Sequence, residues 1–141
     1  MITEKLRDFI KVKCSYLEEF HKGIGVDHLD KDDTAYMIST VPAKKIIKTY
    51  IDGSSDRQYV FAFCSRESYG PDVRRQIENI KFYELFDEWL DECTETKDFP
   101  DLGENIQVKK IEAQSTGYLF DVGADKARYQ IQCRVIYHQN K

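Results

Sequence analysis

With 141 residues, 41% of them hydrophobic and 13% aromatic, the chain suits a single domain over residues 1–141. Such a domain buries roughly two-thirds of the surface that its unfolded form exposes. The formal charge of −4, from 25 acidic and 21 basic residues of interspersed sign, offers no basic stripe for neutralising phosphates and no basic amphipathic helix for a lipid surface.

The chain starts Met-Ile-Thr-Glu-Lys-Leu-Arg-Asp, without an apolar h-region. No apolar run approaches the roughly 20 residues that span a bilayer, so a soluble protein of a reducing cytoplasm is expected. A first helix is predicted from about Glu4 to His21, with Thr3 as N-cap. Leu6, Ile10, Leu17 and Phe20 give its stripe, Phe9, Val12 and Tyr16 widen it, and Gly23 and Gly25 supply the stop. An acidic connector, Asp27 to Asp33, follows. Tyr36 to Val41 reads as a short strand, interrupted by Pro42.

Ile46 to Arg66 reads as a hairpin around a polar turn at Asp52-Gly53-Ser54-Ser55. Its second arm alternates Tyr59, Phe61 and Phe63 with Val60, Ala62 and Cys64, which predicts a central strand covered on both faces. The first arm carries Lys44, Lys45 and Lys48, the marking of an edge or of a strand that meets a partner.

Gly70-Pro71-Asp72 opens helical sequence. Val73, Ile77 and Ile80 form one apolar stripe, and Phe82, Phe86, Trp89, Leu90 and Cys93 another. The two do not line up, which predicts a short helix, a break near Asn79 to Lys81, and a second helix to about Thr94. Asp87, Glu88, Asp91 and Glu92 would be its solvated face. A loop with Pro100 and Gly103 leads to strands at Ile106 to Ser115 and Arg128 to His138. The last sets Tyr129, Ile131, Cys133, Val135 and Tyr137 against Gln130, Gln132, Arg134 and His138. Between them, Tyr118 to Asp121 is either a brief strand or a connecting arm. This order predicts an α+β domain: a mostly antiparallel sheet of four to five strands packed with an N-terminal helix and a central helical segment.

Chemistry has few footholds. Cys14, Cys64, Cys93 and Cys133 stand apart in apolar surroundings and read as small buried hydrophobes. His21, His28 and His138 lie in no catalytic motif. There is no nucleophile elbow, phosphate-cradling loop or dinucleotide fingerprint. The acidic connector lacks the central glycine and closing glutamate of a Ca²⁺ loop. Glu67, Asp72 and Glu78 could be drawn as a nuclease cluster, yet no Glu-x-Lys signature accompanies them. No catalytic, metal or cofactor site is expected. Nine tyrosines and eight phenylalanines exceed what one core needs, and tyrosine favours interfaces.

Two stretches are more specific. One is Tyr50-Ile51-Asp52-Gly53-Ser54-Ser55 through Arg57-Gln58-Tyr59, continuing to Ser65-Arg66-Glu67-Ser68-Tyr69-Gly70-Pro71-Asp72-Val73, Phe82-Tyr83-Glu84 and Trp89-Leu90. The other is Gly117-Tyr118-Leu119-Phe120-Asp121 with Ala127-Arg128-Tyr129-Gln130-Ile131-Gln132-Cys133-Arg134. From Tyr36 onward the chain resembles a family of minor capsid proteins of tailed bacteriophages and prophages of Gram-positive bacteria, whose expected role is tail terminator. The resemblance implies a structural virion protein, assembled in the bacterial cytoplasm, with an α+β fold and no cofactor. It would cap the tail tube as a hexameric ring, stop tube polymerisation and meet the head-completion or connector protein. DNA would pass through without specific binding. Because such rings can mature on the tube, a monomer in isolation is compatible with the role.

A ring needs two different patches that meet head to tail. The candidates are Arg57, Arg66 and Tyr69 for one, and Tyr118, Phe120 and Arg128 for the other, with filling of the core edge as the plain alternative for Tyr118 and Phe120. Candidate lumen-facing acids are Asp30, Asp32 and Asp33, with Asp52 and Asp56. The competing expectations are another head–tail connector, a small metal-dependent nuclease, or a host-interaction module.

Overall fold

The structure is a computed structural model that describes residues 2–13, 24–26, 35–68, 73–122 and 126–141. The elements are α1 (Ile2–Lys13), β1 (Ile24–Val26), β2 (Ala35–Thr40), β3 (Ile46–Thr49), β4 (Ser55–Ser68), α2 (Val73–Thr96), β5 (Ile106–Ala113), β6 (Tyr118–Val122) and β7 (Lys126–Gln139). The fold is α+β, as the element order predicts.

Two 14-residue strands form the spine. β4 and β7 pair antiparallel without a slip from Ser55↔Gln139 to Ser68↔Lys126. Each shares its other edge between two shorter strands. β3 and β2 take successive stretches of β4, at Ser55–Arg57 and Phe61–Arg66. β5 and β6 take successive stretches of β7, at Cys133–Gln139 and Ala127–Gln130. The described residues thus form a seven-stranded sheet of order β1-β2-β4-β7-β5 with β3 and β6 off that path. That exceeds the expected four to five strands. Tyr118 to Asp121 belongs to a strand, and Gly25 sits inside β1, which runs parallel to β2, rather than ending a helix.

Side chains alternate across the pleat. On one face Phe61 and Phe63 of β4, Ile131, Cys133 and Val135 of β7, Ile111 of β5 and Ile38 of β2 are fully buried. They pack against Tyr83, Phe86, Trp89, Leu90 and Cys93 of α2 and Leu6, Phe9 and Ile10 of α1. Phe63 stacks on Phe86 with ring centroids 4.6 Å apart, and Trp89 links Phe86 to Phe9 at 5.8 and 5.7 Å. On the other face Ala62 and Cys64 pack with Met37 and Val41. β4 is therefore central and buried on both faces, as its composition indicates.

α2 is one continuous helix, against the expected break near Asn79 to Lys81. Tyr83 is the reason. It is buried, and it joins the two stripes into a single series 73, 77, 80, 83, 86, 90, 93 at helical 3-and-4 spacing. Its hydroxyl accepts from buried Ser65 and donates to the Tyr129 carbonyl at 3.0 Å. In α1, Val12 is exposed and does not widen the buried stripe. Thr3 lies inside the helix rather than capping it, and its hydroxyl meets the Tyr59 hydroxyl at 2.6 Å. The predicted continuation of α1 through Tyr16, Leu17 and Phe20 to His21, with Gly23, lies outside the described residues.

Candidate interaction surfaces

The hairpin tip is a three-residue loop, Ile51–Gly53, one residue earlier than the predicted turn. Gly53 N–H donates to the Tyr50 carbonyl at 3.0 Å, and Tyr50 N–H to the Ser54 carbonyl at 2.9 Å. Gly53 has φ 91°, the left-handed step that this loop class requires. The Asp52 carboxylate accepts the Ser54 hydroxyl and N–H, which lowers its pKa, the hydroxyl contributing most.

Below the tip, Asp56 is the centre of a polar cluster. Its Oδ1 lies 2.8 Å from Nδ1 of His138, its cross-strand partner on β7, and 3.3 Å from Lys109 Nζ. Its Oδ2 accepts the Tyr50 hydroxyl at 2.7 Å. A bulge between Val108 and Lys110 makes Lys109 the extra residue of β5, so adjacent lysines serve two acids: Lys109 reaches Asp56 and Lys110 reaches Glu112. The hydrogen bond from His138, then that from Tyr50, hold Asp56 at about 2. The Asp56 carboxylate is therefore engaged by three neighbours within the fold. An Asp–His pair also occurs in catalytic triads, but no described hydroxyl or thiol bonds to the other ring nitrogen of His138. The cluster ties the hairpin to the last strand.

Tyr118, Gln130, Arg128 and Cys64 meet on the outer face of the sheet. Gln130 Nε2 donates to the Tyr118 hydroxyl, and Arg128 Nη2 lies 3.4 Å from both Gln130 Oε1 and Cys64 Sγ. Arg66 and Arg128 are opposite each other in the β4–β7 register. One member of each expected patch, Arg66 and Arg128, therefore lies beside the other on the sheet. Arg57 lies toward the far end of β4 and donates to the Ser55 hydroxyl at 2.9 Å. Phe120 sits where the β6–β7 register shifts, and its side chain, like those of Arg66, Glu67 and Glu78, is not described. Tyr69, Asp72, Asp30, Asp32, Asp33, Cys14, His21 and His28 lie outside the described residues. Among the described residues no group of three or more His, Cys, Asp or Glu side chains could hold a metal ion, and no helix is long and apolar enough to cross a membrane.

Two surface features stand out. β3 is exposed along its whole length, so neither of its faces has a core to cover. Ile46 and Ile47 are 39% and 46% exposed, and Ile51 at the tip projects fully into solvent. Lys44, Lys45 and Lys48 accompany them, also exposed. The second feature is the outer stripe of α2, where Glu84, Glu88, Asp91, Glu92 and Glu95 are all exposed. Asp87, expected on that solvated face, is half-buried, and its pKa is raised by desolvation first and then by Asp91 and Glu88. A cavity of about 380 Å³ lies between α1 and β4, lined by Ile2, Val41, Pro42, Tyr59 and Val60 among others.

The sequence signals for these surfaces were uneven. Lysines beside isoleucines marked the edge, whereas nothing local pairs Asp56 with His138, residues 82 apart in the chain. No protein-family model matches the chain, and no curated protein matches it.

Proposed function

We propose that this protein is a ring-forming assembly component of a phage-type tail, acting as tail terminator. It would cap the tail tube to end polymerisation and present a surface to the head-completion or connector protein. The observation that carries this reading is the β3 arm, which holds Ile46 and Ile47 in solvent on a strand with no core of its own and Ile51 in solvent at the tip beyond it. Apolar area left in water at a projecting edge suits a surface completed by a neighbour. The family resemblance of the Tyr50–Tyr59 and Gly117–Arg134 segments supports the same role. The role needs shape and self-association, with no bond made or broken. Negative-stain images of tails assembled without the chain test it: overlong tubes are expected. Tubes of normal length that lack heads would instead assign a neck-connector role.

A further inference from the structure

The β3 arm and the α2 stripe are complementary in charge and are different patches of the subunit, one an outer strand of the sheet and the other the exposed stripe of the helix that covers a sheet face. β3 bonds to the β4 edge that faces away from β7. α2 packs toward the other half of the sheet, with Tyr83 bonded to Tyr129 of β7 and the Thr94 hydroxyl bonded to Ile111 of β5. None of the ion pairs among the described residues involves Lys44, Lys45, Lys48 or the exposed α2 carboxylates. The Lys48 ammonium stands 5.0 Å above the Tyr50 ring, its only close polar partner among the described residues. Five carboxylates along one helix face repel one another at helical i,i+3 and i,i+4 spacing. A cationic neighbour would relieve that repulsion.

We infer that the β3 arm of one copy docks on the Glu84–Glu95 face of α2 in a second copy, giving the head-to-tail contact of the ring. This rests on the ring-forming role proposed above and says which surfaces form it. Lys44, Lys45 and Lys48 would face Glu84, Glu88, Asp91, Glu92 and Glu95, while Ile47 and Ile51 are covered at the centre of the contact. Two different patches of one subunit give a heterologous interface, which closes into a ring when its rotation permits. The charges set register and partner choice, and the isoleucines supply the apolar burial. Exposed charges are screened over roughly 8 Å at physiological salt, so the contact weakens as salt is raised.

Zero-length carbodiimide cross-linking of the full chain tests this, because it joins an amine only to a carboxylate in direct contact. Equal parts of ¹⁴N and ¹⁵N protein, cross-linked after assembly onto tail tubes, identify links between copies. The expected result is mixed-isotope links from Lys44, Lys45 or Lys48 to the α2 acids. They should vanish when the three lysines become glutamate, vanish when Glu88, Asp91 and Glu92 become lysine, and return when both sets are reversed in one chain. Mixed-isotope links confined to other peptides, or none at all, overturn the inference. A ladder of oligomers linked through other surfaces would sink this contact while leaving the ring role intact. Tails of normal length and joining without the chain would sink the ring role whatever the links.

Discussion

Asp56 and His138 face each other across β4 and β7, Oδ1 2.8 Å from Nδ1, in a contact that anchors the projecting hairpin to the last strand. Tyr50 closes over the same carboxylate from the hairpin, its ring 5.6 Å from the imidazole. The arm can therefore stand out from the core and still keep a fixed base. A surface meant for a partner gains from such pre-organisation, because less ordering remains to be done on contact.

That anchor fails in acid. The Asp56 carboxyl, ordinarily at 3.8, is held at about 2, so the unfolded chain takes up the proton first. Its contribution is fully present above about pH 4 and is lost as pH falls through about 2. Chemical denaturation of the wild type and Asp56→Asn across this range should show a stability gap that narrows as pH drops from about 4 to about 2. An unchanging gap would refute the assignment.

Gly117 is fixed by Tyr83. A Cβ placed at Gly117 would overlap the Cβ and Cγ of Tyr83, a residue held on both sides by Ser65 and the Tyr129 carbonyl and unable to step aside. Gly117→Ala should cost about 1–3 kcal/mol or more through overpacking. Tyr83→Phe keeps the ring but strands the buried Ser65 hydroxyl, at a cost of about 1–3 kcal/mol. Urea midpoints of the two variants measure both. In Gly117→Ala/Tyr83→Gly the loss of the Tyr83 Cβ and Cγ removes the overlapping atoms, so the penalty falls below the sum of Gly117→Ala and Tyr83→Gly made singly.

Local pattern carried the spine of the fold and little of its surfaces. The alternation from Tyr129 to Tyr137 states which side chains reach the core, because the period of a strand is two, and the apolar run from Val60 to Cys64 states that β4 is covered on both faces. Two stripes that restart at Phe82 imply a break in α2, whereas Tyr83 continues the first stripe and Phe82 is half-buried beside it. Val12 looked like core by spacing and is solvent-facing, since α1 turns only a narrow face inward there. The sharing of one long edge by β2 and β3, or by β5 and β6, depends on where each short strand stops, which periodicity does not encode. The meeting of Arg66 with Arg128, and of Asp56 with His138, is a matter of register between distant segments. Only the assembled sheet defines it.

The described cysteines behave as core hydrophobes. Cys133 and Cys64 have no exposure and Cys93 almost none, and burial raises the pKa of all three, that of Cys93 to about 11. For Cys64 the neighbouring Arg128 opposes the effect without reversing it. A thiolate is the reactive form, so none of the three should react quickly with a disulfide reagent in the native protein. Peptide mapping after labelling should find Cys64, Cys93 and Cys133 unmodified until denaturant is added. Rapid native labelling of Cys133 would contradict the packing of Phe61, its cross-strand partner.

α2 ends at a strained residue. Lys97 follows the last helical position with φ 58°; its N–H reaches the Thr94 carbonyl at 3.4 Å, and the next N–H, of Asp98, reaches the Cys93 carbonyl at 2.9 Å. This pair of bonds is the Schellman arrangement, in which a left-handed residue lets the chain leave the helix while satisfying its last carbonyls. Glycine is the residue that adopts this conformation without a Cβ clash, which costs other L-residues roughly 1–2 kcal/mol. Lys97 is exposed and makes no ion pair among the described residues, so little is lost with its side chain. Lys97→Gly should therefore stabilise the protein by about 0.5–1 kcal/mol after the added freedom of the unfolded chain is subtracted. In a domain of this size that corresponds to a rise of roughly 1–4 °C in Tm. Lys97→Ala retains the Cβ and the clash, so it should show no such gain. Equal stabilisation by both variants would place the strain elsewhere in the loop that leads to β5.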